Sequence, residues 1–175
     1  RATTIGGLDE AIGGEKGVAR TGDIMLENDQ IRIGILGSRT SMGPGLYGGS
    51  LVDADLQWND AALDGARGRD QWNELFPTFN MNVPAADADE GSVEIVSDGA
   101  DGAAIVRVQG KAAPFLDLLY ALWPLVDMPD QWMSHDYILK PVRPRHLIAA
   151  VQSRVRRARA AASRAVVAAE PERHP

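Results

Sequence analysis

The chain has no cysteine among its 175 residues. This absence excludes a disulfide framework, a thiolate metal site and a cysteine nucleophile. A run of about 18 apolar residues is also lacking, so no membrane span is predicted. No basic-then-apolar leader opens the sequence. Arg1 stands where a Met would begin a primary translation product, which is typical of a processed chain or a fragment and compatible with a removed export signal.

Histidine is scarce as well. His135, His146 and His174 are far apart in the sequence, and none has the spacing of a metal ligand pair. The sequence contains neither a nucleophile elbow nor an H-E-x-x-H pattern, and its residues do not indicate a Ser/His/Asp triad. We therefore predict no catalytic, cofactor-binding or metal-binding residues, no cofactor, and a protein that is not an enzyme.

Charge is distributed unevenly along the chain. Residues 1–139 carry 9 Lys and Arg against 22 Asp and Glu, whereas residues 140–175 carry 9 against 2. We predict two parts, an acidic β-rich domain over 1–139 and a basic helical tail over 140–175. An acidic domain repels nucleic acid phosphates, and a basic tail is most often a solvated helix, so nucleic acid is not a predicted partner.

Two segments of the acidic part have the pattern of β-hairpins. In "IMLENDQIRIGIL", isoleucines alternate with Arg32 and Gly34 after a turn at Asn28-Asp29. In "SVEIVSDGADGAAIVRVQG", a turn over 98–102 separates two apolar runs. Two such hairpins predict a mainly β fold with an antiparallel, sandwich-like body.

Other elements are predicted from apolar runs and proline positions. "SLVDADLQW" has the pattern of a strand, and Asp70–Phe76 is long enough for a short helix. The segment 114–126 is apolar on nearly all sides, and Pro114 and Pro124 suit the first turn and the end of a short buried helix.

The tail carries a narrow apolar stripe at spacings of three and four residues, formed by Ile148, Val151, Val155, Ala158 and Ala162. This spacing predicts a long helix that begins after Pro144 and runs to about Ala169, before Pro171. The stripe packs on its own domain, pairs with another helix, or leads to a neighbouring module. The sequence leaves these three alternatives open, and the helix is the predicted contact for any partner.

A glycine-rich loop follows the first hairpin. Gly43, Gly45 and Gly48 match the spacing G-x-G-x-x-G, in which backbone amides approach a pyrophosphate. Here Pro44 removes an amide, and the residues that follow have the pattern of a strand where a dinucleotide site requires a helix. We therefore interpret the segment as a plain glycine loop.

The acidic residues and tryptophans have two interpretations each. Asp53 and Asp55, with Asp60 and Asp64 nearby, are potential ligands of a hard cation, but a solvated acidic edge fits their spacing better. Asp98 and Asp101 suit turn formation. The tryptophans are candidate platforms for stacking sugars, although packing in the core or at an edge is commoner in a small domain; they are Trp58, Trp72, Trp123 and Trp132.

Four blocks, in this order, resemble an N-terminal β-rich domain of large exported or cell-surface bacterial proteins, often myxobacterial: "GDIMLENDQIRIGIL", "GPGLYGGSLVDADL", "GRDQWNELFPTFNMNV" and "VEIVSDGADGAAIVRVQG". The resemblance covers about residues 21–139. In some of those proteins the domain precedes a PHP-type metallohydrolase or a carboxypeptidase-regulatory-like module. The resemblance implies a noncatalytic binding or accessory domain with a sandwich-like fold and an extracellular or periplasmic location.

Residues 135–160, which include "DYILKP", resemble the last strand and helix of response-regulator receiver domains. Lys140, Pro141 and Tyr137 match the phosphoryl-binding Lys, the Pro after it and the switch aromatic. Under this alternative the fold is α/β and flavodoxin-like, and the protein acts in the cytoplasm in a phosphorelay. The alignment makes Asp98 the phosphoacceptor, and Asp53 and Asp55 the Mg²⁺ ligands. No Ser or Thr occupies the place of the receiver hydroxyl.

Overall fold

The computed structural model describes residues 1–87, 91–116, 121 and 131–141 of the chain. This described part is mainly β and contains no helix, which confirms the predicted class. Its strands are β1 (Ala2–Thr4), β2 (Ile24–Glu27), β3 (Ile31–Ile35), β4 (Leu51–Leu56), β5 (Asn82–Pro84), β6 (Ser92–Asp98), β7 (Ala104–Pro114) and β8 (Trp132–Leu139). Every pairing between these strands is antiparallel.

The first sheet contains β1 to β4 in sequence order. Its central hairpin, β2 and β3, confirms the prediction from alternating isoleucines. Asn28 closes the turn, because its Oδ1 accepts hydrogen bonds from the backbone N–H of Gln30 at 2.9 Å and of Ile31 at 3.0 Å. The predicted strand at "SLVDADLQW" forms β4 beside β3.

The second sheet is organised around the long strand β7. Its first residues pair with β6, its last three pair with β5, and Ala104–Lys111 pair with β8. The β6–β7 turn lies where the sequence predicts it, and Asp98 Oδ1 accepts a hydrogen bond from the Ala100 N–H at 2.9 Å. Asp98 is therefore a turn former, as expected.

The core of the described part consists of two hydrophobic clusters that use opposite faces of β2. Ile24 and Leu26 belong to a cluster that residues of both sheets share, with Ala104 and Val106 from β7. Met25 belongs to the other cluster, which side chains of the N-terminal loop complete: Ile5, Ala11, Ile12 and Ala19. Because side chains alternate along a strand, the first sheet is buried on both faces here.

Of the predicted helices, one is wrong, and the others lie largely or wholly outside the described residues. Asp70–Phe76 is not helical, since Leu75 forms an isolated bridge with Leu51 and Asp70 accepts a hydrogen bond from the Trp72 N–H. Pro114 ends strand β7 and does not begin a helix. Most of the predicted 114–126 helix and the whole tail from 142 onward lie outside the described residues. Where the chain is described, no helix is long and apolar enough to cross a membrane.

Candidate binding groove

A groove of about 530 Å³ lies beside β4, and three separate loop segments form its walls. Its volume falls within the range of small-molecule sites. Val52 belongs to β4, and the other lining residues come from the loops: Glu15, Lys16, Val18, Ser41, Met42, Gly43, Pro44, Trp72, Asn73 and Glu74.

The first wall is fixed by a buried carboxylate on β4. Asp53 has no solvent exposure. Its Oδ1 accepts a hydrogen bond from the Val18 N–H, and its Oδ2 accepts one from the Ala19 N–H, both at 2.9 Å. These bonds tie the N-terminal loop to the sheet. Gly34 lies opposite Asp53 on β3, and its lack of a side chain leaves room for Ala19 above it.

The second wall carries Trp72 and is fixed by Asp70. The Oδ1 atom of Asp70 accepts hydrogen bonds from the backbone N–H of Trp72 at 3.0 Å and of Ala54 in β4 at 3.1 Å. The backbone N–H of Asp70 donates in turn to Gly13 at 2.7 Å. One buried side chain therefore sets the position of Trp72 relative to the sheet.

The third wall is the glycine-rich loop, which Glu74 fixes. Glu74 Oε2 accepts a hydrogen bond from the Gly45 N–H at 3.0 Å. A Cβ atom at Gly43 or at Gly45 would collide with this carboxylate, and one at Gly48 would collide with the carbonyls of Gly37 and Ala86. The three glycines of the G-x-G-x-x-G spacing therefore allow close packing, which agrees with their interpretation as a plain loop.

Burial dominates the electrostatics of the anchoring carboxylates. It raises the pKa of Asp53 to about 6, and the nearby charges of Asp70 and Asp23 act in the same direction. The pKa of Asp70 is raised as well, mainly by burial. The expectation of a solvated acidic edge is wrong for Asp53, because backbone N–H groups replace water around its carboxylate. It holds for Asp60 and Asp64, which are exposed.

Apolar surface is exposed at the mouth of the groove. The exposed fraction is 40% for Trp72, 41% for Val18 and 78% for Met42. Trp58 and Trp132 are also exposed, so of the two expected kinds of packing, core or edge, the core is excluded for the three tryptophans that are described. The groove combines an aromatic face with carboxylate, amide, hydroxyl and ammonium groups, an arrangement suited to a ligand with both apolar faces and hydroxyls.

The residues of the receiver alignment lie in two sheets. Asp53 and Asp55 are on β4 of the first sheet, and the Asp55 carboxylate accepts hydrogen bonds from the Trp58 Nε1–H and the Arg69 N–H. Asp98 ends β6 in the second sheet. Asp98 pairs with Ala104 of β7, and Ala104 pairs with Leu139 of β8. Asp98 and Lys140 therefore lie at the same end of that sheet.

His135 and Tyr137, both on β8, lie on the inner side of the second sheet. Their rings make an edge contact with centroids 5.1 Å apart, and the Tyr137 hydroxyl donates to the Gly49 carbonyl at 2.8 Å. Burial lowers the pKa of His135 and raises that of Tyr137. His135 also lines a cavity of about 10 Å³, together with Phe76 and Phe115. That cavity has room for roughly one water molecule.

No group of three His, Cys, Asp or Glu side chains in the described part of the chain is arranged to hold a metal ion. Comparison with known proteins adds no relative. No protein family matches the sequence, and neither a curated protein nor a solved structure matches the chain.

The groove has no local pattern in the sequence, because its walls come from segments about 15, 42 and 73 residues into the chain. Trp72 was a candidate only as one of four tryptophans. A usable signal was present in "RDQWNELF", where two acidic residues flank an aromatic residue. Acidic side chains in such loops commonly bind backbone N–H groups and fix the loop.

Proposed function

We propose that residues 1–139 form a noncatalytic, sandwich-like binding domain of an exported or cell-surface bacterial protein, and that its ligand is a neutral carbohydrate bound in the groove. The single observation that carries this proposal is the exposed indole of Trp72 at the side of the groove, on a residue whose backbone N–H donates to Asp70. A sugar presents an apolar face that stacks on an aromatic ring, and a rigid ring loses little entropy on binding.

Charge supports a neutral ligand. Glu15 and Glu74 line the groove, with Lys16 as its cation, and the surrounding domain is strongly acidic. Such a surface disfavours anionic ligands such as phosphates and nucleic acids. Ser41 and Asn73 also line the groove, and their hydroxyl and amide groups can donate to and accept from sugar hydroxyls.

The test is titration of the full chain with neutral oligosaccharides of glucose, N-acetylglucosamine and mannose, followed by tryptophan fluorescence and backbone NMR shifts. We expect one of them to shift the resonances of residues 72–74 and 15–18. Trp72→Ala should weaken binding at least about fivefold, since loss of one stacking ring costs about 1–3 kcal/mol by analogy with aromatic stacking of bases.

Trp58 provides the matched control, because it is exposed to a similar extent, 36%, and does not line the groove. Trp58→Ala should leave binding within about twofold of the parent chain. Equal losses for the two variants, or no shift with any of the sugars, would contradict a carbohydrate site at Trp72. Shifts with a cationic peptide instead would keep the groove and change the class of ligand.

A second candidate function is a divergent receiver in a phosphorelay, which the position of Asp98 and Lys140 at one end of the second sheet favours. In that proposal Asp98 is phosphorylated, Lys140 contacts the phosphoryl group, Tyr137 is the switch residue, and Asp53 and Asp55 hold Mg²⁺. Asp53 opposes this role, because it is fully buried and both of its oxygens accept backbone N–H groups. A receiver has a parallel sheet, however, and the described pairings are antiparallel. We therefore expect beryllofluoride with Mg²⁺ to leave the Tm unchanged; a clear rise would favour the receiver.

The basic tail is the proposed contact with a neighbouring module or protein in either case. Its apolar stripe, Ile148 to Ala162, is a sequence pattern and lies outside the described residues. This proposal is tested by comparing the NMR chemical shifts of the full chain with those of a version that ends at Pro141. Unchanged shifts over 1–141 would leave the stripe free for a partner, whereas shifts confined to one surface would indicate packing on the chain's own domain.

A further inference from the structure

The sheet edges of the described part differ in how well they are protected. An open edge presents unpaired N–H and C=O groups, and proteins commonly shorten, bend or cover such edges. In the first sheet, β1 is only three residues long. Strand β4 is covered, because Leu51 exchanges two backbone hydrogen bonds with Leu75, and the Ala54 N–H donates to Asp70.

In the second sheet, β6 is also protected. A register shift between Ile95 and Ser97 bends this strand, and the Val93 N–H donates to the Ser38 hydroxyl at 3.1 Å. Glu94 and Asp98 add like charges along it. Bulges and charges of this kind discourage the addition of another strand.

Among the residues that the structure describes, strand β8 has none of these protections. It is eight residues long, contains no proline, and pairs with β7 without a register shift. No described strand pairs with its other edge. The one acidic residue in it, Asp136, is neutralised by Arg107 of β7, whose Nε and Nη2 atoms donate to the carboxylate at 2.9 and 3.0 Å.

The hydrogen bonds fix which residues point to the open edge. The Ala112 N–H donates to the Gln131 carbonyl at 2.8 Å, so the odd-numbered residues of this strand exchange backbone bonds with β7. The even-numbered residues then direct their N–H and C=O groups outward. Their side chains are exposed on the outer face of the sheet: Trp132, Ser134, Asp136 and Ile138.

We propose that β8 pairs in an antiparallel manner with β8 of a second copy of this chain, with Trp132 opposite Ile138 and Ser134 opposite Asp136. The two copies are related by a two-fold axis, so each pair occurs twice. All four outward-facing residues then form hydrogen-bonded pairs. Trp132, 58% exposed, and Ile138, 54% exposed, become cross-strand partners of the aromatic and β-branched type that stabilises sheets.

Neighbouring registers are less favourable. A shift of two residues in one direction loses one pair and places Asp136 opposite its own copy, and like charges directly opposite are destabilising. A shift in the other direction places Trp132 opposite Asp136. Shifts of one residue present the odd-numbered residues, whose backbone groups already bind β7. The proposed interface is small, so we expect a dissociation constant in the micromolar range.

The test is analytical ultracentrifugation of the full chain from about 1 to 300 μM, a range that brackets the expected dissociation constant. We expect a monomer–dimer equilibrium. Ser134→Pro removes an outward N–H without removing a bond to β7 and should weaken the dimer at least tenfold. Ile138→Lys should weaken it similarly. Val96→Lys is the matched control, because Val96 is a comparably exposed apolar residue on β6, and its dimer should be unchanged.

Cross-linking through introduced cysteines tests the register. The chain has no cysteine of its own, so only the introduced residue reacts. In the proposed register the two Ser134 residues are diagonal neighbours, with Cα atoms about 7–8 Å apart. Ser134→Cys should therefore form a dimer with a short bis-maleimide, and Val96→Cys should not. Circular dichroism serves to check that each variant is folded. A monomer at every concentration, or a dimer that Ser134→Pro and Ile138→Lys leave intact, would overturn the proposal. A dimer of folded variants that Val96→Lys weakens equally would do the same.

Discussion

The two sheets use the same antiparallel pairing but are stabilised in different ways. In the first sheet, all four residues of β2 are buried, and loops cover the face that bears Met25. In the second, β8 alternates between half-buried and exposed residues. The burial of charged side chains differs between the sheets in the same way. Asp23 and Asp53 are fully buried beside the first sheet, whereas the ion pair of Arg107 and Asp136 is on the outer face of the second.

The difference shows which interactions position segments that are far apart in the sequence. A strand of the second sheet is positioned by its neighbours in the ladder and by the alternation of its own side chains. The loops around the first sheet have no such ladder, so buried carboxylates hold them by accepting backbone N–H bonds. Mutations of these carboxylates should therefore be far more costly than mutations of exposed acidic residues, and variants of the two kinds test the comparison directly.

The largest effect is expected for Asp23→Ala. Both carboxylate oxygens of Asp23 bind Arg39, at 2.8 and 2.5 Å, and they also accept the N–H groups of Gly37 and Arg20. Removal of one partner of a buried ion pair costs about 3–5 kcal/mol. Urea denaturation should show a loss of this size. Asp98→Ala, at an exposed turn, should cost about 0.5 kcal/mol, and equal losses would contradict the comparison.

A slightly smaller effect is expected for Gly49→Ala, at the contact between the glycine-rich loop and the second sheet. Gly49 has φ +86°, and a Cβ there would collide with the side chain of Val108. Backbone strain and overpacking together should cost about 3 kcal/mol. Gly65→Ala is the control, because Gly65 has φ +67° with open space around it. Its cost should be about 1 kcal/mol by thermal unfolding.

The sequence predicted the parts of this fold that depend on local pattern. Alternation and the turn at Asn28-Asp29 identified β2 and β3, and the 98–102 turn identified β6 and β7. Strands β1 and β5 have three residues each, too few to show a period. The groove was not predictable in this way, since Asp53 binds residues 34 and 35 positions away. A carboxylate carries no sequence signal that tells whether its donors are water or distant backbone.

Stability should also depend on pH through the first sheet. The pKa of Asp53 is about 6 in the fold, against an ordinary value of 3.8 for an aspartate. Since the folded state binds this proton more tightly, the contribution of Asp53 to the free energy of unfolding should fall as pH rises from about 4 to 6, by at most about 3 kcal/mol, and level off above. Asp53→Asn should reduce this slope in urea titrations at several pH values. Asp60→Asn, at an exposed site, should keep it, and an unchanged slope in Asp53→Asn would contradict the assignment.

The smallest effect is expected for Tyr137→Phe, where a loop of the first sheet contacts the second sheet. Tyr137→Phe removes the hydroxyl that donates to the Gly49 carbonyl at 2.8 Å and leaves the ring in place. A buried hydrogen bond of this kind contributes about 1 kcal/mol, so the Tm should fall by a few degrees. Ser134→Ala, on the exposed face of the same strand, should leave the Tm unchanged. If Tyr137→Phe has no effect either, the Gly49 carbonyl is bonded elsewhere, and the Tyr137 side chain contributes to the core through its ring alone.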